Sequence, residues 1–530
     1  MKINKEQLQA INSNSDRILC LAPAGSGKTH TLISRISRLV RDGVPPSSIL
    51  ALTFTNAAAS EMKERYSRDN LGAEIPEFKT FHAFCYSILC KDPNIRAALG
   101  YESIPGIASE EQEKAIDEKA RAQCKISLSK DQLLQRDSLT KKELFQAELY
   151  DKAVNRLMRS ENIITFDKLN SEVAELFNSN NPATQIYKDK YKYITIDEYQ
   201  DTDPYQMQFL NSFPNANFFI VGDTLQNLYS FRGTSNAYIK ALSMAPDWEV
   251  IKLHTNYRST NQICEYANKF SKKYADESYW IEMQGTRDGD KVITKLVEGP
   301  ANYSAIDLKD IQDVLNEINK LTGTSAILCR TNKEVYAVTG YLKNQGISYT
   351  SNKDNQLQKI IDCALSDDYT LGLYASYLTS SKYGEYIRLS EQVKNPNLEW
   401  FLKKYGNNSQ IKNIKEKVDD LKLIASRYDP VAVKLSEIEK LFHLQSIKVP
   451  DKNIREKEFL QYLKNAVTDI KSTELYIGTI HSVKGLEYDN VFVMNVGSYC
   501  FRLNSEDMKN LFYVAITRAK NRLYVYKLFD

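Results

Sequence analysis

The sequence predicts an α/β protein with two parallel-sheet cores, each interrupted by a mainly helical insertion. Short apolar runs alternate with longer amphipathic stretches, a pattern typical of parallel strands that are covered by helices. The runs form two sets, one in the N-terminal half and one that ends near the C-terminus. The chain has 530 residues. This length is enough for roughly two to four domains that each bury a core.

The predicted strands and the stretches between them define the domain organisation. Buried strands are predicted at 17–21, 49–55, 193–197 and 218–223 in the first core, and at 325–330, 476–481, 491–496 and 523–528 in the second. We therefore assign residues 1–82 and 191–254 to the first core, with a helical insertion at 83–190. The second core takes residues 255–351 and 474–530, with a helical insertion at 352–473.

Composition excludes several classes of protein. Apolar residues make up 42% and charged residues 26%, as in globular domains. The formal charge of +3 is too small to indicate a nucleic-acid partner by itself. The eight cysteines include no CxxC pair, so we expect neither a zinc site nor a disulfide framework. No apolar run reaches about 18 residues and the N-terminus is polar, so we expect no membrane segment and a cytoplasmic location.

A phosphate-binding loop follows the first predicted strand. Its glycines let backbone N–H groups surround a phosphate, and the helix predicted after it favours an anion through its dipole. Lys28 is placed to reach the terminal phosphates of a nucleotide, and the Thr29 hydroxyl is placed to bind Mg²⁺. The loop consists of Ala22, Pro23, Ala24, Gly25, Ser26, Gly27, Lys28 and Thr29.

Two adjacent carboxylates follow another predicted strand, YITI at 193–196. Asp197 is placed to hold Mg²⁺, and Glu198 is placed to orient and deprotonate an attacking water. Two carboxylates after a strand can also form a solvated edge of a sheet. Their combination with the phosphate-binding loop favours a site that hydrolyses ATP.

The phosphate-binding loop and the paired carboxylates belong to a longer series of short segments along the chain. The segments are NKEQ at 4–7, the phosphate-binding loop, TFTNAA at 53–58, TFH at 80–82, DEYQD at 197–201, GDTLQ at 222–226 with the residues up to 233, NYRS at 256–259, TIHSVKGLE at 479–487 and YVAITRAK at 513–520. In identity and order they resemble the motifs of superfamily 1 helicases of the UvrD/Rep/PcrA type. The resemblance runs from residue 4 to residue 528 and implies two RecA-like cores with ATP in the cleft between them. Binding would close that cleft and hydrolysis would open it.

The resemblance implies which residues hold the nucleoside part of ATP. Gln7 would hold the edge of the adenine, and Tyr257 would stack on its face. His30 lies where the family commonly has an Arg that helps to sandwich the adenine, which leaves the selectivity for ATP open. Gly485 and Glu487 would lie near the ribose or near the arginines of the site.

The resemblance also implies which residues act on the phosphates. Gln226 would contact the γ-phosphate and the attacking water. Arg258 and Arg518 resemble two arginine fingers, whose planar and permanently charged side chains suit a developing phosphoryl charge. The expected cofactors are ATP and Mg²⁺.

A track for single-stranded DNA is implied in the same way. Phe54, Tyr229 and Phe231 resemble aromatic residues that stack on bases, an interaction worth roughly 1–3 kcal/mol per base that tolerates any sequence. His481 could instead couple the DNA track to the ATP site through a hydrogen bond. Further contacts to the backbone or the bases are implied for Thr55, Asn56, His82, Arg232, Thr479 and His481.

Several positions differ from the family pattern. Ala57 replaces a common Lys, which removes a positive charge from the DNA side, and Phe231 replaces a common Trp. The insertion predicted at 352–473 is shorter than in full-length family members. In the family this insertion carries surface that contacts duplex DNA, so the resemblance leaves the strength of unwinding open.

Two functions are therefore compatible with the sequence. The first is an ATP-dependent DNA helicase and translocase that moves 3′→5′ on single-stranded DNA and binds junctions of single and double strands. The alternative is a DNA-stimulated NTPase that unwinds little and serves a protein partner, as in the helicase-like subunit of the Gabija antiphage system.

Overall fold

The structure is a computed structural model that describes residues 3–126, 128–129, 132–133, 139–179, 181–228, 236–297, 306, 308–351 and 475–528. The insertion predicted at 352–473 lies outside the described residues, and so do Tyr229, Phe231 and Arg232. The chain divides into two compact units, Met1–Ile293 with Arg502–Leu523 and Thr294–Phe501 with Tyr524–Asp530.

The elements are numbered along the described part of the chain. The strands are β1 Arg17–Leu21, β2 Ile49–Thr53, β3 Glu77–Thr80, β4 Gly106–Ile107, β5 Ile163–Ile164, β6 Tyr193–Ile196, β7 Asn217–Gly222, β8 Glu249–Lys252, β9 Thr255–Asn256, β10 Gln284–Gly285, β11 Ile293–Val297, β12 Ser325–Cys329, β13 Thr350–Ser351, β14 Leu475–Thr479, β15 Tyr488–Val496 and β16 Ala519–Leu528. The helices are α1 Lys5–Asn12, α2 Lys28–Arg41, α3 Asn56–Asp69, α4 Phe81–Lys91, α5 Pro93–Ala98, α6 Glu110–Cys124, α7 Lys141–Ser160, α8 Phe166–Asn178, α9 Pro182–Lys190, α10 Pro204–Asn211, α11 Ala237–Met244, α12 Asn261–Ser271, α13 Leu308–Ile318, α14 Asn332–Asn344 and α15 Glu506–Ile516.

A parallel sheet of six strands forms the centre of the first unit, in the order β3-β2-β6-β7-β1-β8. Successive residues of a strand point to opposite faces of the sheet. Leu19 and Leu21 accordingly belong to the apolar cluster on one face, and Ile18 and Cys20 to the cluster on the other. Helices cover both faces, which explains why these strands read as continuous apolar runs.

The helix α1 is held against α2 by a buried arginine. The guanidinium of Arg35, on α2, donates to the carbonyl oxygens of Ala10, Ile11 and Ser13 at 2.9, 3.2 and 2.9 Å. These acceptors are at the C-terminal end of α1, where carbonyl groups have no partner within the helix. Burial lowers the pKa of Arg35 to about 10, so the side chain stays charged at neutral pH. The bonds fix the position of α1, which carries Gln7.

The second unit contains another sheet of six strands, in the order β11-β16-β15-β12-β14-β13. The pairs β12–β14, β12–β15 and β13–β14 are parallel. Its core is formed by residues such as Ile327, Ile477 and Phe492, which are fully buried. The prediction of an α/β fold with two parallel-sheet cores is confirmed.

The first insertion is mainly helical, as predicted. It contains the helices from α5 to α9 and one short pair of strands, β4 and β5. All eight predicted strands are present, β1 with the predicted ends and the others with ends shifted by up to four residues. The strands β3, β8 and β11 and the two-residue strands β4, β5, β9, β10 and β13 were not predicted. In the described part of the chain, no helix is long and apolar enough to cross a membrane.

The compact units do not follow the predicted domain boundaries in every segment. Residues 255–293 and 502–523 group with the first unit, although the sequence places them in the second core. The hydrogen bonds that join residues 256–258 to the phosphate-binding loop, described below, account for part of this grouping. The predicted boundaries stay a prediction.

Candidate nucleotide site and nucleic-acid contacts

The phosphate-binding loop connects the end of β1 to the start of α2. The Ala22 N–H donates to the carbonyl of Gly222 at 3.0 Å and anchors one side of the loop to β7. Gly25 and Gly27 have φ values of +75° and +80°, which glycine adopts without strain. Gly27 caps α2 without a side-chain hydrogen bond. The first N–H groups of this helix of 14 residues therefore open onto the loop, an arrangement that fits a phosphate.

The segment 256–258 packs directly on this loop. The Asn256 side chain donates to the Ala24 carbonyl at 2.8 Å, and the Tyr257 N–H donates to the Gly25 carbonyl at 2.8 Å. A Cβ atom on Gly25 would lie 2.6 Å from Asn256 Oδ1 and 2.8 Å from Arg258 Cβ. Position 25 therefore requires glycine for its backbone conformation and for this close approach.

The predicted lysine, hydroxyl and carboxylates meet at the loop. Lys28 Nζ lies 3.9 Å from Glu198 Oε2, and the Thr29 hydroxyl donates to Asp197 Oδ2 at 3.3 Å. Lys28 Nζ is buried and has no hydrogen-bond partner within the described residues. Phosphate oxygens would supply the missing acceptors, and a hydroxyl beside a carboxylate offers oxygen ligands that suit Mg²⁺. These residues therefore fit ATP with Mg²⁺.

The electrostatics of the site favour the entry of a cation. Burial, with a smaller contribution from the Glu198 carboxylate, raises the pKa of Asp197 to about 7, although Lys28 acts in the opposite direction. Burial also raises the pKa of Asp223, which Lys28 again opposes. Two buried carboxyl groups that resist ionisation would be stabilised as anions by a divalent cation.

Glu198 has an unusual backbone conformation. Its φ is +53°, in the left-handed region that a residue with a side chain adopts at a cost. The Glu198 N–H donates to Asp197 Oδ1 at 3.0 Å, and the Asp201 N–H donates to the Glu198 carbonyl at 2.9 Å. These two bonds hold the turn that places both carboxylates at the edge of the sheet.

The predicted sensor and the two predicted arginine fingers are brought together. Gln226 Nε2 donates to Asp223 Oδ2 at 2.6 Å, and Arg518 Nη2 donates to Gln226 Oε1 at 3.3 Å. Arg258 Nη1 donates to the Thr517 carbonyl at 3.2 Å. Burial, and then the nearby charge of Arg258, lowers the pKa of Arg518 to about 9, which leaves it charged at neutral pH. Arg518 therefore lies beside the buried Gln226, and Arg258 bonds to the residue that precedes Arg518.

The residues expected at the adenine lie next to the loop. Gln7 is fully buried; its Oε1 accepts from the Tyr257 hydroxyl at 3.2 Å and its Nε2 donates to the Ser26 carbonyl at 3.2 Å. The Gln7 amide thus bonds to protein groups in this structure. His30 Nε2 is buried and has no hydrogen-bond partner in the part of the chain that is described. Burial lowers the pKa of His30, so the ring is neutral at physiological pH.

Part of the expected DNA track follows β2. Phe54 is half-buried, and Thr55 and Asn56 are exposed. The Thr55 hydroxyl accepts from the Ala58 N–H at 3.1 Å and so caps α3. These residues lie at the C-terminal end of a parallel strand, as the carboxylates do.

Another expected contact, His82, lies at the start of α4. Its Nε2 is 3.2 Å from Asn170 Nδ2, and its ring meets the edge of Phe166 with 5.3 Å between the ring centres. Phe166 is 51% exposed, although an aromatic residue of this size is usually buried. Phe166 is not predicted from the sequence, because one Phe at a helix start has no distinguishing pattern.

The remaining residues expected at the DNA track and at the ribose lie in the second unit. Thr479 ends β14, and its carbonyl accepts from the Ser482 hydroxyl at 2.7 Å. Burial, together with the charge of Arg330, lowers the pKa of His481. The exposed residues Gly485 and Glu487 follow, with Gly485 at a φ of +86°.

Two residues without a role predicted from the sequence, Arg287 and Gln200, connect parts of this site. Arg287 Nη2 donates to the carbonyl of Arg258 at 2.6 Å and to that of Lys520 at 3.1 Å, so it joins the two segments that carry the arginines. Gln200 bonds to Glu198 and to Asp223. Arg287 lies in a polar run that contains no motif, so nothing in the sequence indicates its role. Gln200 lies within DEYQD, and its place beside the two carboxylates is the only indication that it belongs to the site.

The sheet order, the loop and the paired carboxylates define a P-loop NTPase with two α/β cores. Comparison with known families then shows which family of P-loop NTPases this is. The family model for the UvrD/REP helicase N-terminal domain matches residues 3–247, and the model for the UvrD-like helicase C-terminal domain matches residues 251–363 and 370–528. The chain belongs to the UvrD/REP helicase family, whose enzyme class is the ATP-dependent DNA helicase.

Individual relatives are similar over nearly the whole chain. The probable DNA helicase II homolog of Mycoplasma capricolum is 27% identical, over 99% of this chain and 84% of the relative. The ATP-dependent DNA helicases PcrA of Staphylococcus epidermidis and Staphylococcus aureus are each 28% identical, over 99% of this chain and 83% of the relative.

Replacement of Gly25 tests the packing of the loop. Gly25→Ala would force the loop away from residues 256–258, and a displacement of about 1 Å can reduce turnover about 100-fold. The matched control is Gly72→Ala, because Gly72 has a φ of +78° but open space around a Cβ. In both variants the alanine has a left-handed backbone, and this strain should lower the free energy of unfolding by about 1–2 kcal/mol. We expect only Gly25→Ala to lose ATP hydrolysis as well; equal hydrolysis in the two variants would contradict this account.

Proposed function

We propose that this protein is an ATP-dependent translocase and helicase that moves 3′→5′ along single-stranded DNA. The proposal rests on one observation above all, the meeting of Asp197 and Glu198 with Lys28 and Thr29 of the phosphate-binding loop. These residues come from separate segments of the chain, so their meeting supports a common reaction.

The loop and Lys28 bind the phosphates of the nucleotide. The backbone N–H groups at the start of α2 and the buried Lys28 ammonium donate to phosphate oxygens. Thr29 and Asp197 hold Mg²⁺, which when bound neutralises the charge on the phosphates. Tyr257 stacks on the adenine and Gln7 reads its edge, after the Gln7 amide exchanges a protein partner for the base. His30, whose Nε2 has no hydrogen-bond partner within the described residues, borders the base in this proposal.

Glu198 is the general base in this proposal. It orients the attacking water and accepts its proton, a role that requires the ionised carboxylate. The ammonium of Lys28, 3.9 Å from Glu198 Oε2, stabilises that ionised form. Gln226 places the water and responds to the presence of the γ-phosphate.

Arg258 and Arg518 stabilise the charge that develops on the transferred group. Arg518 is 1% exposed, and a buried guanidinium acts more strongly on charge than an exposed one. Gly485 and Glu487, in the second unit, contribute at the ribose or the arginines.

A strip of DNA contacts runs along residues that follow strands and begin helices. Phe54 stacks on a base, and the exposed Phe166 beside His82 provides a further aromatic face. Thr479 and His481, in the second unit, are proposed as further contacts to DNA. The remaining contacts proposed for single-stranded DNA and its junctions are Thr55, Asn56, Tyr229, Phe231 and Arg232.

The ATP site is tested by two substitutions. Lys28→Ala removes the phosphate-binding ammonium and Glu198→Gln removes the base, so each should reduce DNA-stimulated ATP hydrolysis by about 10²–10⁴-fold. The controls are Lys114→Ala and Glu74→Gln at exposed positions, which should hydrolyse ATP as the wild type does. The measurement is phosphate release with and without single-stranded DNA. Undiminished hydrolysis in Lys28→Ala or Glu198→Gln would show that the site is assigned to the wrong residues.

The direction of movement is tested by strand displacement. Duplexes with a 3′ single-stranded tail, a 5′ tail or blunt ends are compared with ATP and with a non-hydrolysable analogue. We expect displacement of the 3′-tailed duplex only, and only with ATP, because a 3′→5′ motor loads on the 3′ tail. Preference for the 5′ tail would contradict the direction. DNA-stimulated hydrolysis without any displacement would instead support an NTPase that serves a protein partner.

A further inference from the structure

Gln200 is a fully buried polar residue that links Glu198 to Asp223 in the nucleotide site. Its Nε2 donates to Glu198 Oε2 at 2.5 Å, and its Oε1 accepts from the Asp223 N–H at 2.9 Å. The first contact lies after β6 and the second after β7, which are neighbours in the sheet. A buried glutamine costs free energy unless its amide is hydrogen-bonded, and both of these bonds meet that need.

The orientation of the Gln200 amide follows from its partners. A backbone N–H can only donate, so the atom that faces the Asp223 N–H must be the amide oxygen. The amide nitrogen must then face the Glu198 carboxylate, to which it donates. Gly222 allows this arrangement, since a Cβ there would lie 3.1 Å from Gln200 Oε1, tighter than ordinary contact.

The bridge extends to a predicted arginine finger. Asp223 Oδ2 accepts from Gln226 Nε2 at 2.6 Å, and Gln226 Oε1 accepts from Arg518 Nη2 at 3.3 Å. Apart from Glu198, each residue in this series of hydrogen bonds is at most 7% exposed, so water does not compete freely for the bonds. A continuous series of hydrogen bonds thus joins Arg518 and Gln226, through Asp223 and Gln200, to Glu198.

We propose that Gln200 is a positioning residue for hydrolysis, which fixes the Glu198 carboxylate and couples its position to Gln226 and Arg518. This inference rests on the proposed ATPase function. Gln200 does not contact the nucleotide or the water. It determines whether Glu198 has the correct orientation when Gln226 and Arg518 are in place.

The first test separates turnover from binding. Gln200→Ala should reduce kcat about 10–100-fold, as losses of supporting hydrogen bonds at active sites do. The KM for ATP should change little, because the loop and Lys28 are intact. The control is Gln206→Ala, a buried glutamine whose bonds stay within the capping box of α10. It should lose stability without losing kcat; an equal fall of kcat in both variants would overturn the proposal.

A double-mutant cycle tests the coupling. If Gln200 and Gln226 act through the same series of hydrogen bonds, the double variant Gln200→Ala with Gln226→Ala should lower kcat no further than the stronger single variant does. Losses of kcat that multiply would overturn the coupling.

The direct bond between Gln200 and Glu198 is tested by Gln200→Glu. This substitution places a second carboxylate against that of Glu198 and should lower the melting temperature. Adding Glu198→Gln should restore that temperature, because an amide again faces a carboxylate; no recovery would show that the two side chains are not in contact.

These outcomes are distinct from failure of the proposed function. A wild-type protein without DNA-stimulated hydrolysis would contradict the function itself. Wild-type hydrolysis that is lost in Lys28→Ala but unchanged in Gln200→Ala would leave the function in place and contradict only the role of Gln200.

Discussion

The candidate site depends on the parallel pairing of three neighbouring strands, β6, β7 and β1. Their register aligns Ile196 with Ile220 and Leu21 with Gly222, so the three strands end at the same edge of the sheet. The phosphate-binding loop, the two carboxylates and Asp223 follow directly from those ends. Because the strands are buried on both faces, a one-residue shift in register would move each side chain into the packing of the opposite face, where it does not fit. The sheet therefore holds the chemical groups in fixed relative positions.

This placement concentrates charges where water is scarce. Lys28 lacks a hydrogen-bond acceptor among the described residues, and burial works against the ionisation of Asp197 and Asp223. Each of these features costs free energy in the isolated protein. Phosphate oxygens and a divalent cation would relieve them together, which gives a physical reason for binding ATP with Mg²⁺ rather than either alone. The left-handed backbone of Glu198 is a further local cost at this edge.

Sequence patterns predict this architecture well where a local rule applies. Apolar runs located the central strands, and GKT after a strand located the loop, because strand, turn and helix each leave a signature there. The edge strands β3 and β8 were not predicted, since EFKT and EVIK are short and half polar. The bonds of Asn256 to Ala24 and of Arg287 to Arg258 could not be predicted, because they join segments far apart in the chain through backbone carbonyls that any residue possesses. The exposure of Phe166 is likewise a property of packing that no local pattern encodes.

Equilibrium binding of ATP to the Glu198→Gln variant tests the central claim most directly, since binding is measured there without turnover. We expect one saturable ATP site per chain, with affinity that falls at least about tenfold, or 1.4 kcal/mol, when Mg²⁺ is removed. Adding Lys28→Ala to that variant should weaken the same site. Absence of saturable binding, or an affinity that responds neither to Mg²⁺ nor to Lys28, would contradict the claim that these buried charges form a nucleotide site.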